Sequence, residues 1–566
     1  MTLTEKAAQL TLFRLMSEWC RRPHRFAAFV GGCVALVLLP SCLTSEAAPS
    51  EAGSLLTEAS AAASGHGPSP VGDVEEAAVG VGNGLLSASE GGMGLPAVPE
   101  AEATARPERD CSPRLADGFR VSDMSPGAAS MEISRAAFAC ALEVGLAFAD
   151  DHAAISALVS RGIQGPLLLV SSGFNVALVK ELERLEPERI VTAGIDERLL
   201  RYALPEFAVE QLPVADGAGS LPEGASFGRV WIVGDNVPAE PLSAVARQIG
   251  VGVVAATGDL RALPPSARDA ISGAAVVEVL ADLGEDAAWQ LDAVRRGDEL
   301  PGGGLLLFEA DAASPVRRLL AAYGHPSTSA LGILGEQGPE ETVERLRAIA
   351  EGYDADGLAV LPTFEVIATV ASASAGADGD YSGETAKDVI RPWVEAAAAN
   401  GVYVVLDLQP GRSDFLTQAK IYEEFLRLPH VGLALDPEWR LKPHQVHLAQ
   451  IGTVDAAEIN QVSDWLAGIV REQALPQKLL VIHQFRHSMI TDRQRINTPP
   501  ELAVVIHMDG QGPLGAKYDT WNALTGQPDA DRFHWGWKNF YDEDTPMATP
   551  EQVLKVTPAP VFVSFQ

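Results

Sequence analysis

The chain has 566 residues, enough for several domains, and 75 Asp and Glu against 42 Lys and Arg give it a formal net charge of −33. That balance repels a polyanion and excludes nucleic acid as a partner, while it suits a soluble, self-repelling protein. With only five cysteines, a disulfide-dense scaffold is excluded too.

Arg21, Arg22 and Arg25 precede an apolar segment, 26–40, that runs into Leu39-Pro40-Ser41-Cys42. A basic lead, a short apolar stretch and small residues describe a secretory signal over 1–41. The alternative, a membrane anchor, is poorly served by ~15 apolar residues where a span needs ~20. The four-residue ending resembles the bacterial lipobox, which implies that Cys42 is lipidated and that the mature protein faces outward from the cell membrane on a lipid anchor. Residues 42–110 hold no Phe, Trp or Tyr and are rich in Ala, Gly, Ser, Glu and Pro. Such a segment cannot bury a core and reads as a disordered tether. The G-V-G-N-G at 80–84 inside it lacks the strand and helix that a dinucleotide loop needs. Beyond the tether, Cys111 and Cys140 either pair in an oxidising exterior or stay as two buried thiols.

From 111 to 316, short apolar runs at 166–172, 189–194, 229–234, 251–258 and 304–310 alternate with helical stretches. The alternation predicts a Rossmann-like three-layer α/β domain with one mainly parallel sheet. The stretch 140–170, followed by R-I-V-T-A-G at 189–194, resembles the type 2 cell-wall-binding repeat, with a degenerate second copy at 229–259. That resemblance implies a hold on anionic envelope polymers.

From 317 to 566, eight strand candidates alternate with helical stretches at 339–351, 385–400, 415–426, 456–472 and 550–555. The strands are at 317–324, 357–363, 402–408, 431–436, 479–485, 502–508, 533–537 and 560–565. Eight strands in about 250 residues predict a (β/α)₈ TIM barrel.

Several of these strands end on ionisable groups: His325 after the first, Glu365 after the second, Asp407 on the third, Asp436 and Glu438 on the fourth, His483 on the fifth, His507 and Asp509 on the sixth. Reactive groups of such barrels gather at the carboxyl ends of the strands. Carboxylates on strands about 4.8 Å apart suit acid/base attack on a glycosidic bond, one protonated and one ionised. Glu438, Asp436, Asp509 and Asp407 are therefore the catalytic candidates; the bland reading of the same charges is a stabilising ring. Flat aromatic faces suit sugar rings, and Trp439, Trp535 and Trp537 fall near strand ends. With Glu365, Gln409, Arg412, His483, His507 and Lys538 they form the substrate-binding set, whereas Trp393 and Trp465 belong to helix cores. The loop at 378–382 is a further substrate contact or, through Asp378 and Asp380, a calcium loop. No cofactor is expected. The competing metal reading would use His483, His507, Asp407 and Asp436 as zinc ligands, although no H-E-x-x-H or paired-cysteine spacing is present.

Asp436-Pro437-Glu438 resembles the D-x-E ending of family 18 chitinase-like glycoside hydrolases, which implies Glu438 as acid and Asp436 as the group that orients a substrate acetamido. Asp509 sits where that family also keeps an acid, while Gly432 and Ala434 replace its earlier acidic positions. As a whole, 322–566 resembles a family of actinobacterial surface lipoproteins through the blocks Y-G-H-P, L-G-I-L-G-E-Q, L-D-L-Q-P-G-R, L-A-L-D-P-E-W-R-L, L-V-I-H-Q-F-R and G-W-K-N-F-Y-D-E-D. The resemblance implies a surface location and no particular reaction. The leading expectation is a tethered hydrolase of a cell-wall or extracellular glycan. A noncatalytic glycan-binding or scaffold lipoprotein, or a metal-dependent hydrolase of a wall component, are the alternatives.

Overall fold

The computed structural model describes residues 109–566 apart from 117, 172, 215–226 and 309–316. The signal, Cys42 and all but the last two residues of the tether lie outside the described residues. Cys111 and Cys140 form a disulfide with Cα atoms 5.1 Å apart, so of the two readings left open the pairing is the one found. Among the described residues no helix is long and apolar enough to cross a membrane.

Residues 109–308 form two parallel sheets rather than the single one expected. The first orders its strands Leu167–Val170, Glu143–Phe148, Arg189–Ala193, Val209–Leu212, and the second Val251–Ala255, Arg229–Val233, Val276–Val279. The outer strands Val209–Leu212 and Val276–Val279 are only half-buried, and each closes its own sheet. Each half places its first strand between its second and third, with a helix after each of the first two: His152–Arg161 and Val176–Leu185 in one half, Ala239–Arg247 and Pro265–Gly273 in the other. In chain order the second sheet begins at Arg229. One apolar cluster joins the two, through Ala147, Val191, Trp231, Val233 and Leu242.

The remainder is an eight-stranded parallel barrel: β1 Arg317–Gly324, β2 Ala359–Ala371, β3 Tyr403–Leu408, β4 Val431–Leu435, β5 Lys478–His483, β6 Leu502–Met508, β7 His534–Asn539 and β8 Phe562–Phe565. Each strand pairs with the next, and β8 pairs with β1 to close it. Seven strands match their expected positions within a few residues, but β2 runs well past 363. Its alternating T-F-E-V-I-A-T-V stays in the ladder, so Glu365 lies inside the strand instead of after it. The helix Leu514–Thr525 between β6 and β7 carries too weak an apolar stripe to be read from sequence.

Alternate residues of each strand face the barrel interior. Leu319, Ala321, Leu361, Tyr403, Val405, Ala434, Leu479, Val481, Ala503, Val505 and Phe562 form one buried cluster there. Tyr403 takes much of that space, so a side chain at Gly432 would meet its ring at 3.1 Å and the Leu479 carbonyl at 2.6 Å. Leu300, Leu307 and Phe308 from the preceding region belong to the same cluster and plug the barrel's amino-terminal end. Arg317 fastens that plug by donating to the Pro301 and Gly303 carbonyls.

Candidate active site

Carried one step toward the strands' carboxyl ends, the inward alternation changes from mostly apolar to polar, with seven of eight positions ionisable. Tyr323, Glu365, Asp407, Asp436, His483, His507, Lys538 and Ser564 follow Ala321, Thr363, Val405, Ala434, Val481, Val505, Gly536 and Phe562 at the same parity. All eight are buried. Gly536 is required in this layer, since a Cβ there would lie 2.4 Å from Nδ1 of His507.

Two polar chains run through the layer. In the first, Nδ1 of His483 lies 3.0 Å from Oδ2 of Asp509 and Nε2 lies 3.0 Å from Oε1 of Glu365. Burial alone would lower the imidazole's pKa, but the hydrogen bonds to Asp509 and Glu365 carry it well above its ordinary value; His483 is therefore an imidazolium donating in both directions. In the second, Gln409 Nε2 donates to the Tyr323 hydroxyl, which donates to Oδ2 of Asp407 at 3.0 Å. Burial and the surrounding carboxylates hold Tyr323 far up, as the neutral phenol. Burial also lifts Asp407, to about 6.

Above this layer opens a cavity of about 240 Å³. Tyr323, Asp436, Asp509 and Lys538 contribute its polar lining, and Glu438, Trp439, Phe485, Arg486 and Phe540 are among its other walls. Asp436 sits where β4 gives way to the turn Pro437–Trp439 and accepts from the Glu438 amide at 3.3 Å, which sets Glu438 beside it at the mouth. Burial and then neighbouring Glu438 push Asp436 well above the carboxylate range. Burial and then Asp509 raise the half-buried Glu438 to about 8. Glu438 thus keeps its proton at pH 7, and Asp436 is shifted in the same direction. Asp509 differs: His483 occupies its Oδ2, and Oδ1 has no hydrogen-bond partner among the described residues. Two acids in contrasting surroundings around one cavity can divide the labour of proton donor and anion.

Of the sequence candidates, Asp436, Glu438, Asp509, Gln409, Trp439 and Lys538 line the cavity. Glu365, Asp407, His483 and His507 lie beneath its floor. Asp407, expected as a catalytic group, is not among the residues lining the cavity and accepts from the Tyr323 hydroxyl. His507, kept neutral by burial and the His483 charge, is bonded through Nε2 to Ser564 at 2.7 Å. Three expected sugar contacts are also corrected. Arg412 donates to the Gln445 carbonyl and stacks on Tyr381 at 4.4 Å, away from the cavity. Trp535 and Trp537 have outward parity on β7 and pack around Trp521 in the shell between barrel and helices. His325 stands apart, with Nε2 2.9 Å from the Thr385 hydroxyl and its pKa pushed down to about 4 by burial. Tyr323, Phe485 and Phe540 were not anticipated, although the alternation Leu319, Ala321, Tyr323 would have placed the first.

The expected zinc set does not assemble, because His507 is directed to Ser564. Potential donor atoms of Asp436, His483 and Asp509 do lie within 4.8 Å of one another, but both His483 nitrogens are already engaged. Asp378, Asp380 and Glu384 form a second, more exposed acidic group.

No protein-family model matches the chain, and no curated protein matches it. Among solved structures it is similar to two of the radical S-adenosylmethionine methyltransferase TsrM from Kitasatospora setae. One is bound to tryptophan substrate and aza-SAM, the other to cobalamin and a 4Fe–4S cluster. Each is 11% identical at a TM-score of 0.16; the matches cover 70% and 73% of this chain and 72% and 77% of theirs. At that score the likeness carries neither fold nor function to this chain, and the barrel's own geometry is what bears on its activity.

Proposed function

We propose that the barrel is a glycoside hydrolase that removes a terminal residue from a cell-wall or extracellular glycan. Glu438 is the general acid and Asp509 the anionic partner. The observation that carries this reading is the contrast between the two carboxyls: Glu438 holds its proton at pH 7, and Asp509 accepts from an imidazolium while keeping Oδ1 free. Glu438 protonates the departing oxygen; Asp509 activates water or meets the positive charge that grows on the sugar. Asp436, whose pKa is shifted the same way, also faces the bound ring. Because the cavity is smaller than the roughly 300–1,000 Å³ of drug-sized sites, it suits one sugar ring rather than an extended chain.

We place this activity outside the membrane on a lipid at Cys42, in the surface-lipoprotein family that the sequence blocks resemble. The disulfide supports export, since such bridges persist in oxidising compartments. The paired α/β halves of 109–308 would serve, as Rossmann-like cell-wall-binding repeats, to hold envelope polymer. Mass spectrometry of the N-terminal peptide and detergent partitioning of Cys42→Ala test the anchor.

The hydrolase reading is tested with aryl glycosides and wall-derived oligosaccharides, comparing wild type with Glu438→Gln. Turnover by wild type that the variant loses supports it. A melting-temperature change with no turnover by either protein overturns it in favour of a binding or scaffold lipoprotein. A metal-dependent hydrolase is the second reading, favoured by the clustering of Asp436, His483 and Asp509. Activity that a chelator abolishes and Glu438→Gln retains would establish it.

A further inference from the structure

The barrel buries three lysines, and they differ in what receives their protons. Lys478 donates to the Leu428 and Val431 carbonyls, and Lys517 to the Lys538 carbonyl and the Asp544 carboxylate. Lys538, only 3% exposed, has no hydrogen-bond acceptor among the described residues. Its Nζ instead lies over the ring of Tyr323 at 3.5 Å and near that of Phe540 at 5.2 Å, on the wall of the cavity. An ammonium that finds no acceptor in the protein must take one from water or from a ligand. Cation–π contact meets its charge only in part. The missing acceptor has to come from whatever fills the cavity.

We propose that Lys538 is the counter-ion for a carboxylate on the substrate, so that the cavity selects an acidic sugar residue over its neutral counterpart. This rests on the glycoside reading of the same site and names its substrate class. A hydroxyl would satisfy one donor, but a carboxylate meets the charge as well, and such bonds are about twice as strong. None of the protein's own cavity acids approaches Nζ within bonding distance, which leaves that position to the ligand. Glu438, protonated at pH 7, spares an incoming carboxylate the repulsion of one more anion.

The test is calorimetric titration of the full chain with D-glucuronate and D-galacturonate, each against its neutral sugar and its methyl ester, for wild type, Lys538→Met and Lys538→Arg. The uronates should bind at least about tenfold more tightly than sugar or ester, with the preference lost in Lys538→Met and partly kept in Lys538→Arg. The wild-type comparison alone decides the matter if Lys538→Met does not fold. Equal binding of acidic and neutral sugars, or no uronate binding at all, overturns the proposal. Cleavage of neutral aryl glycosides with equal sugar binding sinks this inference and spares the hydrolase. Uronate selectivity without turnover of any glycoside does the reverse.

Discussion

His483 stands between Asp509 and Glu365 with 3.0 Å to each, so one imidazolium bridges two acids that come from strands on opposite sides of the barrel axis and its single charge is shared between them. Replacing it with Gln leaves both acids buried without their cation, and breaking a buried pair of this kind costs about 3–5 kcal/mol. His483→Gln should therefore unfold at markedly lower urea, and any glycosidase activity should fall with it. An unchanged denaturation midpoint would mean that water replaces the imidazolium freely.

The proton on Glu438 sets a pH limit. Activity that needs the protonated acid falls as pH rises through about 8, and Glu438→Gln should lower kcat by about 10²-fold or more while flattening that limb. Stability follows the same sign. A carboxyl whose folded pKa lies above its unfolded value favours folding less and less as pH climbs from about 4.5 toward 8, and Glu438→Gln removes this penalty. The variant should gain melting temperature over wild type at alkaline pH and little near pH 4. A constant difference across the range would show that the carboxyl does not titrate in this window.

Trp439 and Trp537 are both buried, so replacing either costs stability, and they differ in whether binding changes as well. Trp439 lines the cavity, and its replacement by Ala should raise KM or Kd by about 10-fold, the scale of one lost ring contact. Trp537 is fully buried in the shell around Trp521, so Trp537→Ala should cost about 3–5 kcal/mol and leave the affinity of the folded fraction unchanged. Ligand titration beside urea denaturation distinguishes them.

A fragment starting at 317 has a complete ring of strands and no plug. Leu300, Leu307 and Phe308 are buried in the barrel interior, each worth about 1.5–3 kcal/mol when withdrawn from water. The 317–566 fragment should aggregate or melt far below a fragment starting at 299. Equal melting temperatures by differential scanning fluorimetry would show the plug to be dispensable.

Much of the barrel was legible because apolar runs ending in Asp407, Asp436, His483 and His507 recur at the spacing of βα units, and the carboxyl-end acids were found by that rule. What escaped has physical causes. Trp535 and Trp537 were judged by nearness to a strand end, whereas alternation along β7 decides which way a ring points. Glu365 was placed after a strand ending at 363, whereas its buried place inside β2 rests on His483, more than a hundred residues away in the chain. The plug is likewise a long-range contact, and no local pattern marks 300–308 as part of the barrel. In the middle region, apolar runs reported strands without reporting how many sheets they share.

The Cys111–Cys140 bridge lies at the very start of the described fold. A pull applied from the amino-terminal side reaches this covalent link before it reaches the helix Pro126–Ala137 enclosed within the loop. Force bypasses residues 112–139 and passes directly to the strand Glu143–Phe148, whose neighbours on both sides are parallel. Loading therefore meets a set of sheared hydrogen bonds acting together instead of a helix peeling away turn by turn. Reduction of the bridge moves the first point of yielding outward, to the helix.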